Sequence, residues 1–223
     1  MLDLKTHRLC DCSPKSISCI SAKDWAKAQV VVWKFSYNKD DIRDKNSHPA
    51  VFPLSLASKV IELFTHRGEL VVDPFVGSGT TLVSAQRMER NAIGFDLQEK
   101  YALLANGRLG PRSPWHPHLI QTAINEDSRR AAEYIPPESV KLVLTSPPYA
   151  NMLSVRKKNK SRNSKNRDNG QLGVVQQYSS DPRDLGNLSI DSYYESMADI
   201  FRGLYPLVLK GGSLRRQRRR PVR

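Results

Sequence analysis

A doubly wound parallel α/β sheet is the fold that this 223-residue sequence predicts. Two observations carry that prediction. From residue 69 to 146, short apolar runs alternate with stretches patterned as helices, and strands alternating with helices indicate a parallel sheet covered on both faces. The first strand-like run also breaks into a glycine-bearing turn, Asp73-Pro74-Phe75-Val76-Gly77-Ser78-Gly79, directly ahead of a helix. In such sheets that turn lies at the carboxyl edge, where ligands bind.

The elements follow in order. Residues 1–27 are rich in Ser, Cys and Lys without periodicity and read as an irregular lead-in, and 28–150 form the core. AQVVVWKF (28–35) reads as a strand or extended segment, and the polar stretch 37–50 as a loop. After Pro53, Leu54, Leu56, Ala57, Val60, Ile61 and Phe64 recur at helical spacing, and His66-Arg67-Gly68 closes that helix. ELVVDPF (69–75) is a buried strand and 79–90 a helix; NAIGFDL (91–97) and 99–109 repeat the pair. PHLIQTAI (117–124), a short helix near 128–134 and VKLVLTS (140–146) complete the alternation. Residues 151–190 read as a basic loop insertion and 191–209 as an amphipathic helix of the core. The segment 210–223, ending SLRRQRRRPVR, is a basic tail, because no central strand carries five arginines in seven residues. The sheet is thus expected to be truncated before its last strands.

Composition limits the function classes. Hydrophobic residues at 39% and charged residues at 26% are ordinary for a soluble protein, and no apolar run is long enough to span a membrane. No signal peptide is recognisable, so a cytoplasmic location is expected. Cys10, Cys12 and Cys19 read as free thiols in a reducing compartment. Together with His7 they offer zinc-ligand types, but the spacing matches no common structural site, and no metal is expected.

The net charge of +13 is confined to two places. Residues 151–169 hold seven basic side chains against Asp168, and 210–223 hold seven more without an acid. The rest of the chain is formally neutral. Such runs suit a polyanion, with nucleic acid the obvious one.

Three strand ends bear acids. The turn after the first strand is not a phosphate-binding Walker loop, since no Gly-Lys-Thr follows. Asp96 ends the second strand, where an acid can hold ribose hydroxyls. Asp127 follows the third and is a candidate acceptor for an adenine amino group. A nucleoside cofactor bound without strong phosphate recognition fits this set, and S-adenosylmethionine is one. The fourth strand ends in Ser146-Pro147-Pro148-Tyr149. Its two prolines cannot continue a ladder and leave the sheet rigidly.

These features resemble the amino-methylating (cytosine-N4/adenine-N6) DNA methyltransferases. The resemblance spans about residues 25–150 and rests on HPAVFP (48–53), DPFVGSGTT (73–81), IGFDLQEKY (93–101) and TSPPY (145–149). It implies a Rossmann-like S-adenosylmethionine-dependent fold. By the same likeness Phe52 and Pro53 line the methionine end of the pocket and Asp73 meets the ammonium group. Phe75, Gly77 and Gly79 shape the pocket, and Asp96 takes the ribose. Ser146, Pro147, Pro148 and Tyr149 form the catalytic tetrapeptide, and serine in first place resembles the cytosine-N4 branch. The partners implied are duplex DNA with a flipped target base and a cognate restriction endonuclease. Adenine-N6 methylation, an RNA target and an inactive nucleic-acid-binding remnant are the alternatives. A cytosine-C5 mechanism needs a cysteine nucleophile, and every cysteine lies within residues 10–19.

Overall fold

The computed structural model describes residues 8–29, 32–37, 52–148, 150 and 181–216. The chain divides into two compact units, Met1–Pro147 with Ile200–Arg223, and Pro148–Asp199.

The first unit is built on a five-stranded, all-parallel sheet in the order β3-β2-β1-β4-β5. Its strands are β1 (Leu70–Asp73), β2 (Asn91–Asp96), β3 (Gln121–Asn125), β4 (Val140–Thr145) and β5 (Val208–Arg216). The order reverses between β1 and β4, so chain leaving the carboxyl ends of these two strands flanks a crevice. Every residue of β1 is buried, as a strand covered on both faces requires.

Helix α1 (Ala22–Lys27) precedes the sheet, followed by α2 (Leu54–Phe64), α3 (Thr80–Arg87) and α4 (Glu99–Gly107). Pro53 caps α2 in an extended conformation, and the buried stripe Leu54, Ala57, Val60, Ile61, Leu63 and Phe64 faces the core. From Ala57 onward that stripe joins Val71, Leu82, Ala85, Ala92, Ala102, Ala105 and Leu142 in one cluster. Burying one such large aliphatic side chain contributes about 1.5–3 kcal/mol, so this cluster is the main source of stability. Among the described residues no helix is long and apolar enough to cross a membrane.

Three expectations are corrected. The lead-in is not wholly irregular: Ser21 caps α1 by accepting the Asp24 N–H at 3.1 Å. Trp25 then packs edge-on against Phe64 and donates its Nε1–H to the Leu63 carbonyl at 2.9 Å. The described part of 28–35 is not a strand, and Trp33 there turns back to donate to the Ala28 carbonyl at 3.0 Å.

The third correction concerns the end of the sheet. Helix α5 (Ile190–Leu204) stops five residues short of 209, because Pro206 removes a donor and restricts Tyr205 before it. Residues 208–216 then pair with β4, Val140 opposite Val208 and Thr145 opposite Arg216. An edge strand needs only backbone bonds on one side, which arginines supply as well as valines, and edges tolerate charge. The Leu209–Gly212 stretch is a bulge within this strand, where the register shifts and Gly211 takes φ +80°. The expected boundary between a 191–209 helix and a 210–223 tail therefore falls inside a structured segment, and the sheet has five strands where four were expected.

In the second unit, Asp184 caps a single 3-10 turn (Leu185–Asn187) by accepting the Gly186 N–H at 2.8 Å. Most of the basic insertion expected at 151–190 lies outside the described residues, as does the end of the basic tail.

Candidate active site

The carboxyl ends of β1 and β4 are joined by one carboxylate. Asp73, the last residue of β1, is 1% exposed. Its Oδ1 accepts the Thr145 hydroxyl at 2.6 Å and the Phe75 N–H at 3.1 Å, and its Oδ2 accepts the Thr81 hydroxyl at 2.6 Å. Burial raises its pKa to about 6, against the lowering effect of those three donors. Asp73 is thus a strut between the glycine loop, α3 and the end of β4. The ammonium contact expected of it finds both oxygens already engaged inside the protein.

The glycine loop is held from two further sides. The Val76 N–H donates to the Phe95 carbonyl at 2.9 Å, and the Gly77 N–H donates to Asp96 Oδ2 at 3.1 Å. The other oxygen of Asp96 accepts the Gln98 N–H at 2.9 Å. Asp96 therefore fixes the loop from the end of β2 and is itself half-exposed. Arg108 donates to the Ser78 carbonyl from the end of α4.

Gly79 is required twice over. It caps α3 at φ +82°, and a Cβ there would lie 2.7 Å from Ala105 Cβ. Phe75 is half-buried beside buried Gly77 and Gly79, while Phe52 and Pro53 are buried at the start of α2. Asp127 is 7% exposed and caps its own 3-10 turn (Ser128–Glu133), accepting the Arg129 N–H at 2.9 Å and the Arg129 guanidinium at 2.8 Å. Asp127 thus acts as a cap of this turn and pairs with Arg129.

After Thr145 the chain leaves the sheet with Ser146 half-buried and Pro147 buried. Pro148 belongs to the second unit, and Tyr149 lies outside the described residues. The structure thus brings Asp73, Phe75, Gly77, Gly79, Asp96, Ser146 and Pro147 to one edge of the sheet.

Three residues outside the expected set hold this edge together. Thr81 and Thr145 donate to Asp73. Gly94 lets β2 approach the loop, since a Cβ there would meet Val76 Cγ2 at 2.5 Å. Thr81 and Thr145 lie inside the quoted motifs DPFVGSGTT and TSPPY, so their presence was visible but their joint partner was not.

The donor set fits a nucleoside cofactor lacking phosphate: the 73–81 loop contains no Lys or Arg, and the acid Asp96 at the neighbouring strand end is half-exposed. Comparison with known proteins bears on the same segment. The DNA methylase family model for amino-methylating enzymes (N6/N4) matches residues 14–107, which include the loop and Asp96. Through this segment the chain is similar to the amino-methylating DNA methylases.

The type II methyltransferase M.BglI of Bacillus subtilis is 39% identical over 88 residues, 39% of this chain and 24% of that protein. M2.DpnII of Streptococcus pneumoniae is 40% identical over 78 residues, 35% of this chain and 29% of its own length. The crystal structure of a DNA modification methylase from Thermus thermophilus is 33% identical, covering 43% of this chain and 37% of its own, with a TM-score of 0.33. The chain spans about a quarter of the length of the curated relatives it matches.

Proposed function

We propose that this chain transfers a methyl group from S-adenosylmethionine to the exocyclic N4 amine of cytosine in DNA. The observation that carries the reading is the Thr145–Asp73 hydrogen bond, which fixes the strand end just before Ser146 beside the strand that opens the glycine loop. Cofactor and acceptor sites then share one carboxyl edge.

S-adenosylmethionine supplies an electrophilic methyl on a sulfonium. Asp96 holds its ribose; Phe75, Gly77 and Gly79 shape the loop against it, with Phe52 and Pro53 at its methionine end. An exocyclic amine is a poor nucleophile because its lone pair is delocalised into the base. Ser146 Oγ and the Pro147 carbonyl accept its two hydrogens, so the nitrogen moves towards tetrahedral geometry. Bound S-adenosylmethionine would supply its methyl to that nitrogen and leave as S-adenosylhomocysteine, while the proton given up by the amine would pass to water. Catalysis is mainly positioning and electrostatics, for which the two prolines provide rigidity.

The target base leaves the duplex to reach this edge, and Tyr149 offers it a stacking face. The basic residues of 151–169 contact the phosphates, so neutralising them lowers the salt dependence of binding. A cognate endonuclease acting on the same sequence is part of this reading.

The test is nucleoside analysis of duplex DNA incubated with the chain and S-adenosylmethionine. N4-methylcytosine is expected. N6-methyladenine in its place overturns the choice of base, and transfer to RNA but not to duplex DNA overturns the substrate.

A further inference from the structure

At the opposite end of β1, three cysteines and a histidine converge. The Sγ atoms of Cys10, Cys12 and Cys19 and a ring nitrogen of His66 all lie within 4.8 Å of one another. We propose that Cys10, Cys12, Cys19 and His66 form a tetrahedral structural zinc site that pins the N-terminal segment to the core. The sequence suggested His7 as the histidine of such a set; His7 lies outside the described residues, and His66 takes the place instead.

Geometry separates this site from a chance cluster of thiols. His66 is fully buried, and its Nε2 lies 3.0 Å from the Ser16 carbonyl oxygen. A carbonyl only accepts, so Nε2 carries the proton and Nδ1 presents a lone pair. That lone pair faces two sulfurs at once, Cys10 Sγ at 3.4 Å and Cys19 Sγ at 3.6 Å. One lone pair cannot accept well from two thiols, whereas one cation between them satisfies all four groups.

The two nitrogen–sulfur distances agree with zinc. Zn–S bonds of about 2.3 Å and a Zn–N bond of about 2.0 Å at tetrahedral angles set neighbouring ligand atoms about 3.5–3.8 Å apart. Thiolate-rich sets of this kind select zinc over harder cations.

The surroundings also match a metal centre. The histidine's second nitrogen is held by a backbone carbonyl, the arrangement that fixes the tautomer of metal-bound histidines. The Arg67 N–H points at Cys19 Sγ at 3.4 Å, a donor suited to a thiolate. Four protein ligands leave no open position, so the site is structural rather than catalytic.

Its position explains what it holds. His66 sits between α2 and β1, while the cysteines come from a segment with no regular structure of its own between residues 10 and 19. Just ahead of it, the Leu9 N–H donates to the Arg67 carbonyl at 2.8 Å and Arg8 donates to Glu69 at 3.0 Å. The proposal stands independently of the methyl-transfer reading.

The test is metal analysis of the untagged full chain purified under reducing conditions. About one zinc per chain is expected, falling at least about tenfold in Cys12→Ser and His66→Ala. Because either variant can fail to fold, the unaltered chain is also loaded with cobalt(II) and titrated with a thiol-specific mercurial. The intense red-region absorption of tetrahedral cobalt and metal release as three thiols react are expected. A folded chain with neither zinc nor a tetrahedral cobalt spectrum, an iron cluster in place of zinc, or a disulfide among these cysteines would overturn the proposal.

Discussion

The Thr145 hydroxyl donates to Asp73 Oδ1 at 2.6 Å across 72 residues of sequence, joining the last residue of β4 to the last residue of β1. The next residue is Ser146, and the chain after Asp73 becomes the glycine loop. One buried hydrogen bond therefore sets the spacing between the proposed methyl-acceptor clamp and the cofactor loop.

Removing that bond should loosen both sides. Thr145→Val leaves a buried carboxylate short of a donor, which costs about 1–3 kcal/mol. Denaturant midpoints should fall accordingly, with methyl transfer impaired more than S-adenosylmethionine affinity. Thr145→Ser, which keeps the hydroxyl, should restore most of both. Equal stability of the valine variant and the unaltered chain would remove the strut from the account.

Asp73 should also leave a mark on the pH dependence of stability. Its pKa is about 6 in the folded chain against 3.8 for an ordinary aspartate. Between those values the folded state binds more protons than the unfolded one, so stability falls as pH rises through this window. The loss is complete above about pH 6 and amounts to on the order of 2–3 kcal/mol. Chemical denaturation from pH 4 to 7 should show this component in the unaltered chain and lack it in Asp73→Asn.

Gly79 cannot accept a side chain. Alanine there would sit at φ +82° with its Cβ 2.7 Å from Ala105 Cβ and 2.8 Å from Ala105 Cα. Left-handed strain of about 1–3 kcal/mol adds to overpacking of about 1–3 kcal/mol. Gly79→Ala should lower the thermal midpoint and weaken cofactor binding together, read by calorimetry. Gly107→Ala, where a Cβ meets nothing within 4 Å, is the matched control and should do neither.

Ser146 is half-buried and follows the strut directly, so its hydroxyl can be removed without disturbing the core. Ser146→Ala should reduce methyl transfer by about 10²–10³-fold while leaving cofactor affinity unchanged. Single-turnover transfer measured beside binding separates the two, and undiminished transfer would remove Ser146 from the chemistry.

The sheet was legible in the sequence because alternating strand and helix patterns between Glu69 and Thr145 satisfy local rules. Two kinds of feature were not. β5 escaped because its pairing is a backbone property of a sheet edge, while its arginine-rich residues argue against any central strand. The roles of polar residues escaped because they depend on partners remote in sequence. Asp73 is held by Thr81 and Thr145, and Asp127 by Arg129, and the bonds to Thr81 and Thr145 span 8 and 72 residues. Likewise Cys19 and His66 meet across 47 residues, a distance no local zinc spacing anticipates.

The central claim is that a nucleoside cofactor lies against the glycine loop and Asp96, separately from the acceptor clamp at Ser146. Isothermal calorimetry of the folded chain with S-adenosylmethionine tests it most directly, with Asp96→Ala and Ser146→Ala measured alongside. One binding event per chain is expected, lost in Asp96→Ala and retained in Ser146→Ala. Absence of binding by soluble, folded, unaltered chain would contradict it and favour a nucleic-acid-binding remnant without transfer activity.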